Sequence, residues 1–233
     1  MKKALVRIIA AIMPTREMRR NVRNCLWVGF GKTFYRGGKN NKIVWIDNKN
    51  RKHIRRRLPG CVIYFYGDNN YVEVHGSLNA LELSANMCGN SKIIIKSSVH
   101  DCRKLKVDGM SNCVLNIGKD FSVNGTCVIE FSGKTRVDIG NDCMFSYDVI
   151  IRTGDGHNIY SLDTGKIINE SQNVIIGNHV WIAGRSTVLK GSVIPDNSIL
   201  GACSLCNKKF DEPSVILVGN PASIKKHNIR WER

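Results

Sequence analysis

Between Ile176 and Leu205 the chain repeats in units of six. Aliphatic residues open each unit at Ile176, Ile182, Val188, Ile194 and Leu200, and small side chains recur four places on, at Val180, Ser186, Ser192, Ser198 and Ser204. A period of six is neither the 3.6 of a helix nor the 2 of a strand that merely alternates. It fits a triangular β-solenoid, in which each hexad makes one short face and one corner and the aliphatic side chains stack down the middle. Gly177, Asn178, Gly184, Gly191, Asp196 and Asn197 fall between the aliphatic positions, where corners need tight or left-handed backbone.

The same solenoid extends upstream in degenerate form. From Gly38 the chain becomes short β-like runs (KIVWI, CVIYFYGDNNYVEVHG, LELSANMCGNSKIIIK), with turn pairs at Asp68-Asn69, Gly89-Asn90, Ser111-Asn112 and Gly133-Lys134. These are spaced by one coil of three hexads plus a few residues. The basic run NRKHIRRR, 50–57, is placed on a hairpin or loop between early strands, its default role a solvated face and its functional one a groove for an acidic acceptor. Regular register returns at Ile139 and reaches Ile151; the next clear repeat begins at Ile176. Three hexads need only 18 of the 25 positions between them, so about seven residues loop out of the solenoid, and a loop on a rigid scaffold is where chemistry is usually carried.

Both ends differ from this pattern. Residues 1 to about 28 read as two short amphipathic helices that cap the open end, with contact to an anionic membrane surface as the sharper reading. No cleavage site follows the apolar start, and the run is too short to span a bilayer. Asn220-Pro221 reads as the start of a C-terminal helix. The expected organisation is therefore a helical segment over 1–38, a solenoid over 39–220 with a loop around 152–174, and a C-terminal helix or tail over 221–233.

Charge and cysteine change the picture in two ways. Thirty-five Lys and Arg against 19 Asp and Glu give a net charge of +16, which implies an anionic partner but no particular one. No nucleic-acid motif accompanies it. Nine scattered cysteines in a chain of this length read as apolar filler in a reducing, cytoplasmic setting, including Cys203 and Cys206 of the single CxxC.

The segments CMFSYDVIIRTGDGHNI (143–159), IIGNHVWIAGRSTVLKGSVI (175–194), LGACSL (200–205) and VGNPASIKK (218–226) resemble the bacterial hexapeptide-repeat O-acetyltransferases. The likeness is to the galactoside and maltose enzymes, and most to those that decorate capsular or lipopolysaccharide sugars. That resemblance implies an all-β, left-handed parallel β-helix assembled as a homotrimer, with acetyl-CoA as co-substrate in the groove between subunits and no metal. It implies His157 as general base, Trp181 lining the acceptor side, and donor contacts near Ala183, Gly184, Gly201, Ala202 and Lys208. Tyr147, Asp148 and Arg152, from the stretch entering the loop, join Trp181 as substrate-binding candidates. Ala183-Gly184 departs from the Gly-Ala or Gly-Arg common in the family, and Asn158 stands where a proline often follows the histidine.

The chemistry is consistent on its own terms. Acyl transfer from a thioester to an alcohol needs a base for the hydroxyl proton, and imidazole titrates near neutrality. Asp155, two residues before His157, is positioned by sequence to orient the ring. Trp181 beside a corner suits an outward indole. Lys190, Lys208, Lys209, Lys225 and Lys226 collect on the last coils and the tail, where they suit the phosphates of coenzyme A or form a solvated lysine face. Rival readings are a nucleotide-sugar N-acetyltransferase and a non-catalytic scaffold. A zinc carbonic anhydrase would need a third histidine close to His157 and His179.

Overall fold

The computed structural model describes residues 32–76, 81–109 and 111–233. Three sheets form the walls of a parallel β-helix, and the chain visits them in turn. The first stacks β1 (Lys32–Tyr35), β4 (Cys61–Phe65), β6 (Leu83–Met87), β8 (Leu105–Gly109), β11 (Cys127–Glu130), β14 (Val149–Arg152), β17 (Thr187–Val188) and β20 (Leu205–Cys206). The second runs β3 (Lys52–Arg55), β2 (Lys42–Ile46), β5 (Tyr71–His75), β7 (Lys92–Ile95), β9 (Val114–Ile117), β12 (Arg136–Ile139), β15 (Val174–Ile176) and β18 (Val193–Ile194). The third holds β10 (Ser122–Val123), β13 (Met144–Phe145), β16 (Trp181–Ile182), β19 (Ile199–Leu200), β21 (Ile216–Gly219) and β22 (Ala222–Lys226). Strands pair in parallel except for β2 with β3 and β21 with β22.

The hexad register is the core. Ile182, Val188, Ile194 and Leu200 are wholly buried, and so are Ser186, Ser192 and Ser198 at the fifth positions. Buried hydroxyls need partners: Ser186 donates to the Gly201 carbonyl at 2.9 Å and Ser192 to that of Cys206 at 2.9 Å. The left-handed residue of each corner is the fourth of its hexad, His179, Arg185, Gly191, Asn197 and Cys203, so only two of the five are Gly or Asn. Gly177 serves space instead, because a Cβ there would lie 2.2 Å from Asp196 Oδ1. Six of the eight described cysteines are buried, all eight are free, and burial pushes the Cys61 and Cys127 thiols up to about 12.

Coil length falls along the chain. Cys61, Leu83, Leu105, Cys127 and Val149 are successive register partners 22 residues apart, whereas Thr187 and Leu205 are 18 apart. The recurring Asn turns match the longer coils, with Asn69, Asn90 and Asn112 all left-handed. The basic 50–57 run does form a hairpin. Asp47 closes its turn by accepting from the Lys49 and Arg51 amides, each at 2.9 Å, and from His53 at 3.0 Å. The His53 contact, with those of Arg51 and Lys49, holds its carboxyl well below the usual carboxylate range.

Three expectations are corrected. Ile151 lies on the first sheet and Ile176 on the second, one hexad apart in register rather than three. Ile139 pairs with Ile176 across 37 positions, so about nineteen residues leave the coil rather than seven. The C-terminal stretch is not a helix: Asn220-Pro221, a cis bond, sits in a turn, and β22 folds back on the edge of β21 with Val218 opposite Ser223. An Asn-Pro pair marks turns as readily as helix starts, and an open sheet edge takes the following strand. Lys32–Tyr35, assigned to the N-terminal helical segment, is a strand paired with β4. The helices expected over 1–28, and any membrane contact by them, lie outside the described residues. No helix among the described residues is long and apolar enough to cross a membrane.

Candidate active site

The extruded segment, residues 153–173, leaves at the corner between the first and second sheets and folds over that corner. It is a small hairpin: Ile168 N–H donates to the Ile159 carbonyl at 2.9 Å, and Tyr160 bridges Ile167. Asn169 is its hub. Its amide nitrogen donates to Asp155 Oδ2 at 2.9 Å and to the His157 carbonyl at 2.8 Å, while its Oδ1 accepts from the Ile159 amide at 2.7 Å. Lys190, at the same corner one coil on, donates to Asp155 Oδ2 at 2.5 Å and to the Asn169 carbonyl at 2.9 Å. The loop is thereby clamped at both ends, with His157 exposed between them.

Asp155 therefore faces Lys190 and Asn169, not the His157 ring. The Lys190 hydrogen bond, then that of Asn169, holds its carboxyl below the ordinary value. The His157 imidazole has no hydrogen-bond partner among the described residues. Beside it the loop tip is apolar and open: Ile159, Tyr160 and Ile168 are more than half exposed and Leu162 wholly so.

The remaining candidates sit elsewhere on the prism. Trp181 points outward from the third sheet, Nε1 lying 3.5 Å from Ser146 Oγ, with Ile182 beside it turned inward. Tyr147 and Asp148 occupy the corner between the third and first sheets with Ala183, Gly184, Gly201 and Ala202. There the Tyr147 ring lies so close to Gly184 that a Cβ would approach it to 2.9 Å, and the Arg185 guanidinium stands 5.7 Å above the ring. Ala183 and Gly201 spend their N–H groups on Leu200 and Leu217. Those of Gly184 and Ala202 make no backbone bond among the described residues. Arg152, Lys190, Lys208 and Lys209 belong to the loop corner, where Arg152 Nε is 2.8 Å from Glu130 Oε2 and Lys208 lies over Phe210. Lys190 is a loop clamp here rather than a free cation.

No protein-family model matches the chain. Over 168 residues it is 37% identical to the polysialic acid O-acetyltransferase of Neisseria meningitidis, a match covering 72% of this chain and 77% of that protein. The chain belongs to the hexapeptide-repeat O-acetyltransferases. A polysialic acid O-acetyltransferase of Escherichia coli O1:K1 / APEC is 38% identical over 101 residues, which are 43% of this chain and 32% of that one. Among solved structures, the polysialic acid-specific acetyltransferase NeuO matches at TM-score 0.75 and 25% identity, over 88% of this chain and 89% of its own. The polysialic acid O-acetyltransferase OatWY matches at 0.72 and 30%, over 88% and 92%.

Within one copy of this O-acetyltransferase the base candidate and the indole stand apart. His157, Asp155, Arg152 and the lysines stand at one corner, and Trp181 lies on the wall opposite it. Two groups escaped the sequence reading. Asn169 lies twelve residues beyond His157 in an aperiodic loop, and no local pattern marks it. His179, considered only as a zinc ligand, stacks on Trp231 at 4.0 Å and contacts Asp142 Oδ2 at 2.7 Å. Burial works against ionisation of Asp142, but His179 and Arg233 outweigh it and hold its carboxyl low.

Proposed function

We propose that this O-acetyltransferase is a homotrimer that transfers acetyl from acetyl-CoA to a hydroxyl of an acidic cell-surface polysaccharide. In this reading His157 of one copy works against Trp181 of the next. The observation that carries it is the separation just described: the base candidate and the indole lie on opposite sides of one prism, and the loop bearing His157 ends in an exposed apolar tip suited to a neighbouring copy. The names of the polysialic acid-specific relatives support the acceptor class, and the charge of +16 suits an anionic glycan.

The steps follow from the groups at hand. Neutral His157 takes the proton of the acceptor hydroxyl as its oxygen attacks the thioester carbon. Fixed N–H donors stabilise the oxyanion, and the free Gly184 and Ala202 amides are candidates for that role at the small-residue corner. Collapse of the tetrahedral intermediate breaks the carbon–sulfur bond, and the imidazolium returns its proton to the departing thiolate. The Lys208 and Lys209 ammoniums are available for coenzyme phosphates.

The test is mass spectrometry of polysialic acid incubated with the protein and acetyl-CoA, beside calorimetric titration with desulfo-CoA. An acetyl ester labile to mild base is expected, with His157→Ala lowering kcat by about 10²–10⁴-fold. Full activity in that variant overturns the base. A folded protein that ignores the coenzyme overturns the enzyme reading in favour of a scaffold.

A further inference from the structure

The outer face of the second sheet carries a straight column of side chains. Lys42, Tyr71, Lys92, Val114 and Arg136 are register partners on successive strands β2, β5, β7, β9 and β12. At about 4.8 Å per strand they span about 19 Å, with a cation on alternate strands about 10 Å apart and an apolar or aromatic residue between. The column leads to the loop, since the Arg136 amide donates at 2.9 Å to Asn173 Oδ1, at the point where the extruded segment rejoins the coil.

Arg136 is paired with Asp138, but the positive charge of the two column lysines is not cancelled locally. Lys92 and Lys52, the latter from β3, stand 5.5 and 5.8 Å from the Tyr71 ring centroid. Neither they nor Lys42 have a carboxylate within ion-pair distance among the described residues. The two carboxylates of the adjoining column are already engaged. Glu73 accepts from the Tyr71 hydroxyl at 2.5 Å and contacts His75 at 2.6 Å, with Lys96 behind at 3.1 Å. Asp138 is held by Arg136 and by Asn116, the latter at 2.8 Å.

We infer that this column is an accessory binding track for an anionic polysaccharide, laid parallel to the solenoid axis and delivering the polymer to the loop. The Lys42 and Lys92 ammoniums take carboxylates of the polymer, and Tyr71 and Val114 meet the apolar faces of its sugars. The inference rests on the acceptor class proposed above. It adds that a long acceptor is held at sites remote from the reacting hydroxyl, so that affinity depends on chain length.

The experiment compares the full chain with the Lys42→Glu, Lys92→Glu double variant, both checked for folding by circular dichroism. The probes are immobilised polysialic acid, neutral dextran as control, and short sialic acid oligomers. Wild type should bind the polymer and not dextran. The double variant should bind on the order of tenfold more weakly at low salt, the difference shrinking as salt is raised. With acetyl-CoA present, its KM for polymer should rise by a similar factor while kcat and the KM for the short oligomers stay put. Lys42→Arg, Lys92→Arg should behave as wild type. Unchanged polymer binding by the folded charge-reversal variant, or no polymer binding by wild type, overturns the track. Polymer binding that the reversal abolishes, in a protein that transfers no acetyl, leaves the track standing and removes the proposed activity. Acetyl transfer indifferent to the reversal does the opposite.

Discussion

A single asparagine and a single lysine hold the loop that carries His157. Asn169 ties the Asp155 side chain and the His157 carbonyl together, and Lys190 fastens Asp155 and Asn169 to the next coil. Small displacements of a reacting group are costly in rate, so Asn169→Ala and Lys190→Met should each lower kcat by about 10–100-fold while the protein stays folded. Acid should mimic Lys190→Met. The Asp155 pKa is depressed by its partners, so its contribution to loop order is complete above the ordinary value near 3.9 and is lost as pH falls through its lower folded value. Protease nicking of the loop measured from pH 5 downward should rise only below that ordinary value in wild type, and be present throughout in Lys190→Met. That His157 lies on an extruded loop and that the Trp181 indole points outward were legible, because a break in the hexad register and a tryptophan beside a corner are local features. The role of Asn169 was not, since it is created by a loop closure that no periodicity announces.

The hexad is the element that the chain writes most plainly. From Ile176 onward the inward set could be read residue by residue, because a solenoid coil places positions i and i+18 directly above one another and every coil repeats the same demand. Leu200→Ala removes one such stacked side chain from a fully buried position and should cost about 2–5 kcal/mol, measured by urea denaturation. Upstream, where coils lengthen to 22 residues, the hexads blur and only the turn asparagines show the coil period. The loop length was misjudged for a physical reason: two aliphatic positions on adjacent walls look the same in sequence as two on the same wall. The C-terminal hairpin was missed because its stability comes from an open sheet edge, a tertiary feature, and not from its own residues.

At the scale of the assembly, the proposed sharing of a site between copies makes a strong demand. His157→Ala and Trp181→Ala should each be inactive alone, yet coexpression should restore about a quarter of the wild-type rate if copies mix at random, since each mixed trimer rebuilds one site. Sedimentation should give three times the 26.1 kDa chain; a monomer as active as wild type would contradict the shared site. Within one copy, the C-terminal tail has a consequence of a different kind. Solenoids are quasi-one-dimensional, each rung touching only its neighbours, and they fray from their ends. The tail runs back across the third wall: Ile229 bonds the carbonyl of Ser214, Trp231 lies on His179, and Arg233 reaches Asp142 and Ser122. It laces together rungs as far apart as those of Ser122 and Ser214, which never touch one another, as a cord ties a stack of plates. Deleting residues 229–233 should therefore broaden the urea transition and lower its m-value, turning an all-or-none unfolding into one that peels rung by rung.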